Sequence, residues 1–250
     1  MSALQDFQHS FAIRVRNVAR RFAGDTEDFD PGFHPHAAKV FGYTMTSVHR
    51  QHALYEAVKF VVANKIPGSF VECGVYRGGS SLLAALAFSE FGDRRDLWLY
   101  DTFAGMTPPT EFDSKRNLSA ERTVEHFEKS NSGDHNEWCF ACLDDVKACL
   151  ALANYPIEMV HYVVGDVSKT LLDTKPGQIA ILRLDTDFYD STKAELEQLY
   201  DLLSPGGILI IDDYGSWDGA RKAVDEYNAS LSRPLFLARI DETGRIAQKP

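Results

Sequence analysis

The chain has no long apolar run: nothing in its 250 residues approaches the roughly 18 apolar positions that cross a bilayer, so no membrane span is expected. Basic charge is also scarce. Twenty-six Lys and Arg face 36 Asp and Glu, giving a formal net charge of −10 and a pI near 5.2. Phosphate backbones need clustered Lys and Arg, so this balance argues against a nucleic-acid partner and suits a soluble cytoplasmic enzyme. Cysteine is sparse as well. Of Cys73, Cys139, Cys142 and Cys149, only Cys139 and Cys142 have C-x-x-C spacing, with no second pair for zinc and no thioredoxin-like placement after a first strand. Free thiols of a reduced protein are expected. The N-terminus lacks the unbroken apolar core of a signal peptide, because Arg14, Arg16, Arg20 and Arg21 interleave with Phe11, Ile13, Val15 and Val18. It reads as an amphipathic helix over residues 1–22, whose apolar face offers a surface for a homo-oligomer. No repeat, low-complexity tract or linker divides the chain.

What is present suits one α/β domain with a full core, since 44% of the residues are hydrophobic. Residues 1–66 read as a helical appendage or lid and residues 67–250 as the main domain. In the appendage, the Asp/Gly/Pro-rich stretch 24–35 predicts a loop and residues 47–64 a helix with Leu54, Ala57, Val58 and Val61 on one face. Strands are then expected at 69–75, 97–103, 159–167, 179–187 and 208–213. Helices are expected at 80–91, 120–129, 139–154, 191–203 and 217–230, with a turn at 204–207 and a closing antiparallel hairpin over 235–240 and 244–248. The alternation predicts a doubly wound, mostly parallel, seven-stranded Rossmann-like sheet, with ligands outside the carboxyl ends of the strands.

The acids concentrate at those ends. Ile179-Ala-Ile-Leu-Arg-Leu-Asp185-Thr-Asp187 and Ile208-Leu-Ile-Ile-Asp212-Asp213 are apolar runs that each finish in two carboxylates. If the runs are neighbouring strands, four like charges gather at one sheet edge and require a divalent cation or a proton. Oxygen donors in that number favour magnesium, manganese or calcium over zinc. Asp212 and Asp213 could alternatively cap the next helix, a common use of Asp.

The first strand leads into Glu72-Cys-Gly74-Val-Tyr76-Arg-Gly78-Gly79-Ser80, where glycines admit a ligand close to the backbone. The spacing departs from G-x-G-x-x-G, and Glu72 suits a positively charged ligand better than a pyrophosphate. Asp101, followed by Thr102, ends the second strand in place to accept from a ribose diol. Gly165-Asp166 ends the third beside an adenine edge. Together these ends describe a nucleoside carrying a cation, as S-adenosylmethionine does. Arg77 could orient a ligand carboxylate but reads better as the partner of a surface acid, and His34, His36, His49 and His52 could line an acceptor pocket but read better as surface or packing residues.

Phe70-Val-Glu-Cys-Gly-Val-Tyr-Arg-Gly-Gly79, Leu99-Tyr-Asp-Thr-Phe-Ala-Gly-Met106, Arg183-Leu-Asp-Thr-Asp-Phe-Tyr-Asp-Ser-Thr192 and Leu209-Ile-Ile-Asp-Asp-Tyr-Gly215 resemble the macrocin O-methyltransferase family. That family includes sugar methyltransferases of macrolide and aminocoumarin biosynthesis. Tyr43-Thr-Met-Thr-Ser47 and Gly219-Ala-Arg-Lys-Ala-Val-Asp-Glu-Tyr227 extend the likeness over most of the chain from about residue 40. The resemblance implies a class I S-adenosylmethionine-dependent fold, a magnesium ion, and methyl transfer to a deoxysugar hydroxyl on a natural product. It implies cofactor contacts from Glu72, Gly74, Tyr76, Gly79, Ser80, Asp101, Thr102, Gly165, Asp166 and Asp185. It also implies Asp185, Asp212 and Asp213 as metal ligands and Asp187 as general base. Phe188 stands where the family commonly has Trp, and Ser216 where a His often precedes the Trp, differences that bear on the acceptor. A catechol or phenolic diol acceptor, and a non-catalytic nucleoside-binding protein, are the alternative readings.

Overall fold

Near-continuous apolar runs, rather than alternating ones, belong to strands covered on both faces, and the central strands follow that rule. In β1 (Ser69–Cys73) all but the first residue are buried, and all six residues of β4 (Ile179–Leu184) are. The computed structural model describes residues 26 and 28–250. The expected helix over 1–22 lies outside the described residues.

β2 (Leu97–Asp101), β3 (Val160–Val164), β5 (Leu203–Ile211), β6 (Ala238–Arg239) and β7 (Arg245–Gln248) complete a seven-stranded sheet in the order β3-β2-β1-β4-β5-β7-β6. β1 to β5 pair in parallel, while β7 runs antiparallel to both β5 and β6, as the closing hairpin predicts. Buried side chains still alternate in direction. Phe70, Leu97, Leu99, Ile181 and Ile210 enter one core with α2 (Val48–Ala63) and α3 (Gly79–Glu90). Val71, Tyr100, Leu182, Leu184 and Ile211 enter a second with α6 (Val167–Asp173), α7 (Tyr189–Leu199) and α8 (Asp218–Ser230). α4 (Ala120–Lys129) and α5 (Leu143–Ala151) lie in the long connection between β2 and β3. Among the described residues no helix is long and apolar enough to cross a membrane.

Several element bounds shift, among them the expected helix at 139–154, which is confined to Leu143–Ala151, and three changes have a visible cause. The 24–35 stretch does not stay a loop to its end: α1 (Phe33–Val40) begins there, anchored by fully buried Phe33 and Val40, with Pro35 tolerated in the first turn. The third strand stops at Val164, because Asp166 caps α6 by accepting from Ser168 N (3.0 Å). The expected turn at 204–207 is absorbed into β5, where the pairing with β4 shifts register and Ser204 Oγ donates to Pro67 O (2.6 Å). All four cysteines are free thiols.

Candidate active site

The carboxyl ends of the strands are locked level by one further hydrogen bond each. Gly74 N donates to Tyr100 O, Asp185 N to Cys73 O, Asp212 N to Leu184 O and Gly165 N to Asp101 O, all at 2.9 Å. Gly74 can occupy its place only as glycine, since its φ is +82° and a Cβ would lie 2.0 Å from the carbonyl oxygen of Asp185. Directly above these ends open two clefts that share Met45, Tyr76, Asp185 and Asp187.

The first cleft is lined by Gly74, Tyr76, Asp101, Thr102, Gly165 and Asp185 among the expected cofactor residues. Asp101 organises the turn after β1: Oδ2 accepts from Val75 N (2.6 Å) and Tyr76 N (3.1 Å), and Oδ1 from Phe103 N (2.8 Å). Burial pushes its carboxyl above the usual range, opposed by those N–H groups. Ser80 lines the second cleft. Glu72, Gly79 and Asp166 line neither. Glu72 is 1% exposed and held by Ser81 and by Arg183 Nη1 (2.5 Å), so it shapes the site from below. Gly79 lies in the first turn of α3 and donates to Tyr43 O (3.1 Å), and Asp166 pairs with Lys169 (3.0 Å) beside its cap.

The second cleft holds the acids. Asp185, Asp187 and Asp213 each offer an oxygen, all within 4.8 Å of one another. Asp212, the remaining expected ligand, is fully buried between Arg50 and Arg183. It pairs with Arg50 Nη1, and Arg183 Nη2 lies 2.9 Å from its Oδ1 as an ion pair lacking hydrogen-bond alignment. Arg183 Nη1 also reaches Asp185 (2.9 Å), and Arg50 Nε reaches Asp241 (2.9 Å). Two guanidiniums therefore face six carboxylates: Glu72, Asp185, Asp187, Asp212, Asp213 and Asp241.

That imbalance raises the acids' affinity for a proton. Burial, partly offset by Arg183, lifts Asp185 well above the carboxylate range; burial and neighbouring Asp187 do the same for Asp213. Burial pushes Asp187 up to about 7 against a hydrogen bond with Asp213. A divalent cation fits the same arrangement. Octahedral magnesium at about 2.1 Å separates its ligand oxygens by roughly 3 to 4.2 Å, within the spacing seen, and Asp213 Oδ2 is buried without a hydrogen-bond partner.

Three of the six non-glycine residues with positive φ among the described residues line the first cleft: Tyr76 (φ +49°), Cys139 (φ +53°) and Asp187 (φ +68°). Sequence reasoning assigns no role to Arg50, Arg183, Met45 or Cys139. Arg183 had a signal, being a lone charge inside an apolar strand. Arg50 had none. The Tyr43–Ser47 motif supplies Tyr43, Thr44, Met45 and Thr46 to the second cleft, while none of His34, His36, His49 and His52 lines either cleft. His52 instead stacks on Phe29 with centroids 3.9 Å apart, and His36 bonds Glu90 (2.6 Å).

Comparison with known proteins agrees with this geometry. The macrocin-O-methyltransferase (TylF) family profile matches residues 7–249. The chain is 35% identical over 203 residues, 81% of its own length and 74% of the relative's, to the 8-demethyl-8-(2,3-dimethoxy-alpha-L-rhamnosyl)-tetracenomycin-C 4'-O-methyltransferase of Streptomyces olivaceus. It is 30% identical over 208 residues to the demethyldecarbamoylnovobiocin O-methyltransferase of Streptomyces niveus, again 81% of this chain and 74% of that one. Among solved structures, the O-methyltransferase NovP superposes with a TM-score of 0.72 at 29% identity, covering 83% of this chain and 82% of that one. The chain belongs to the macrocin-O-methyltransferase (TylF) family and is an S-adenosylmethionine-dependent O-methyltransferase.

Proposed function

We propose that this enzyme methylates a hydroxyl of a sugar carried on a natural product, using a magnesium ion and Asp187 as general base. The observation that carries this reading is the shared wall: Asp185 and Asp187 border both the cleft at the cofactor strand ends and the cleft that holds the acids. The relatives in Streptomyces are named for O-methylation of a rhamnosyl tetracenomycin and of demethyldecarbamoylnovobiocin, and the first of these supports a glycosylated acceptor.

When bound, S-adenosylmethionine supplies a methyl group already activated on a sulfonium, and magnesium supplies the Lewis acidity that eases loss of the acceptor's proton. Asp185 and Asp213 would hold the ion, with Asp212 the third ligand that the family likeness implies. Asp187 accepts the hydroxyl proton. Its left-handed backbone turns it into the wall between the clefts, and its elevated proton affinity, near 7, matches a base working at neutral pH. Gly74, Tyr76, Asp101, Thr102 and Gly165 orient the donor, and Asp101 rigidifies the turn that presents Tyr76. Holding both reactants in line is worth about 7 to 11 kcal/mol in well-aligned systems.

The residues 104–117 act with Tyr43, Thr44, Met45 and Thr46 of the appendage as walls that exclude water. Gly105, Met106 and Thr107 close one side of the donor cleft. The loop is fastened by Asp113, fully buried, whose carboxylate accepts from Tyr189 N (2.8 Å) at the start of α7. The test is to offer the enzyme S-adenosylmethionine, magnesium and a panel of glycosylated natural products beside catechols, and to follow product mass. Gain of one methyl on a glycoside supports the reading; gain on catechols alone contradicts it.

A further inference from the structure

Asp187 sits at the centre of a strained turn. Phe188 N donates to Thr186 O (2.7 Å) across Asp187, whose φ is +68°. Three residues closed in this way around a positive φ form a γ-turn of the rare, strained hand, and such a backbone persists only where its surroundings hold it. The far end is anchored by Phe188, 1% exposed, whose ring meets Trp217 edge to face at 5.2 Å. The near end is held from α7. Ser191 Oγ lies within reach of the carbonyls of Thr186 (3.3 Å) and Phe188 (3.1 Å), and Thr186 Oγ1 donates to Glu195 Oε1 (2.8 Å).

Glu195 is an unfavourable residue for this place on stability grounds alone. It is fully buried, its Oε2 has no hydrogen-bond partner, and among the described residues no cation pairs with it. Burial pushes its carboxyl well above the carboxylate range, opposed by the Thr186 bond. An unpartnered buried polar atom costs stability that an apolar side chain of similar size would not. What Glu supplies here, and an apolar residue does not, is the acceptor for Thr186. We propose that Glu195 is a positioning residue: its bond to Thr186 holds the strained turn and so keeps the Asp187 carboxylate aimed at the acceptor hydroxyl. The proposal rests on the reading of Asp187 as general base. Glu195 lines neither cleft, whereas Thr186 and Ser191 line the donor cleft, so Glu195 acts through Thr186 and touches no reactant. Displacing a reacting group by about 1 Å can cost on the order of 10²-fold in rate.

Three variants of the full chain test this. Glu195→Met keeps the volume and removes the acceptor, Thr186→Val removes the donor, and Glu195→Gln keeps an acceptor oxygen. Glu195→Met is expected to resist denaturant as well as the wild type or better, yet to exchange the Phe188 amide proton at least tenfold faster by NMR. On the glycoside that gains a methyl in the acceptor panel, its kcat should fall at least tenfold with an unchanged KM for S-adenosylmethionine. Thr186→Val should match it in Phe188 exchange, and combining the two should add nothing further. Glu195→Gln should return both exchange and kcat to within about threefold of the wild type. Wild-type Phe188 exchange in Glu195→Met, or fast exchange with wild-type kcat, overturns the proposal. So does an equally large loss of kcat when Glu195→Met is made in an Asp187→Asn background, because Glu195 then acts other than through the base. If Asp187→Asn alone keeps full turnover, the base reading fails, while Phe188 exchange still decides whether Glu195 holds the turn.

Discussion

Asp187 is where the two clefts meet, and one substitution isolates its role. Asp187→Asn keeps the side chain's size and removes its ability to take a proton. The expected outcome is retained S-adenosylmethionine affinity and retained Mn²⁺ binding, read by calorimetry and by electron paramagnetic resonance, with kcat lowered by about 10² to 10⁴. An unchanged kcat contradicts the assignment. At this scale the sequence was legible where chemistry and position coincide: acids closing apolar strands point to Asp185, Asp187, Asp212 and Asp213 without a structure. It was not legible where the partner is remote. Nothing near Asp212 announces that Arg50, 162 positions away, would hold it, nor does Glu72 reveal from its neighbours that Arg183 claims it 111 positions on.

Single elements position the site through a few contacts. The turn after β1 depends on Gly74. Gly74→Ala places a Cβ against the Asp185 carbonyl in a backbone region alanine avoids, and should cost about 2 kcal/mol or more of stability while weakening S-adenosylmethionine binding at least tenfold. Denaturant titration and calorimetry read the two effects, and wild-type values in both contradict the packing described. The turn between β6 and β7 is stapled to the start of α2 by Asp241, which meets Ser47, Arg50 Nε (2.9 Å), Thr243 N (2.9 Å) and Gly244 N (2.7 Å). These partners hold its carboxyl down at about 2 despite opposing burial. Because the folded value lies below the unfolded one, near 4, this stabilisation is present above about pH 4 and disappears as pH falls through 2. Asp241→Asn should therefore cost about 2 kcal/mol at neutral pH and only a small fraction of that by pH 2; equal losses at both values would contradict the linkage. Most elements could be read from apolar periodicity, but α1, α6 and the irregular start of β5 could not. Burial of Phe33, a cap from Asp166 and a hydrogen bond from Ser204 to Pro67 are tertiary or capping effects that outweigh local composition.

In the whole molecule, the strand order places β1 and β4 side by side at the centre, so the glycine turn and the acid-ended strands meet although more than a hundred residues separate them. Alternating strands and helices were enough to foresee a doubly wound, mostly parallel sheet, because right-handed parallel crossovers leave few arrangements, but not its strand order. The shapes of the grooves were not foreseeable: their walls draw on 43–46, 105–107, 115–117, 239 and 242–243, segments with no shared periodicity. The fold thus delivers six carboxylates to two guanidiniums and leaves a negative pocket beside the donor cleft. The most direct measurement of what fills it is methyl transfer to a glycoside acceptor in chelator, followed by addition of Mg²⁺, for the wild type and Asp185→Asn. We expect transfer to stop in chelator, to return with Mg²⁺ in the wild type and to stay absent in the variant; full turnover in chelator would contradict the account.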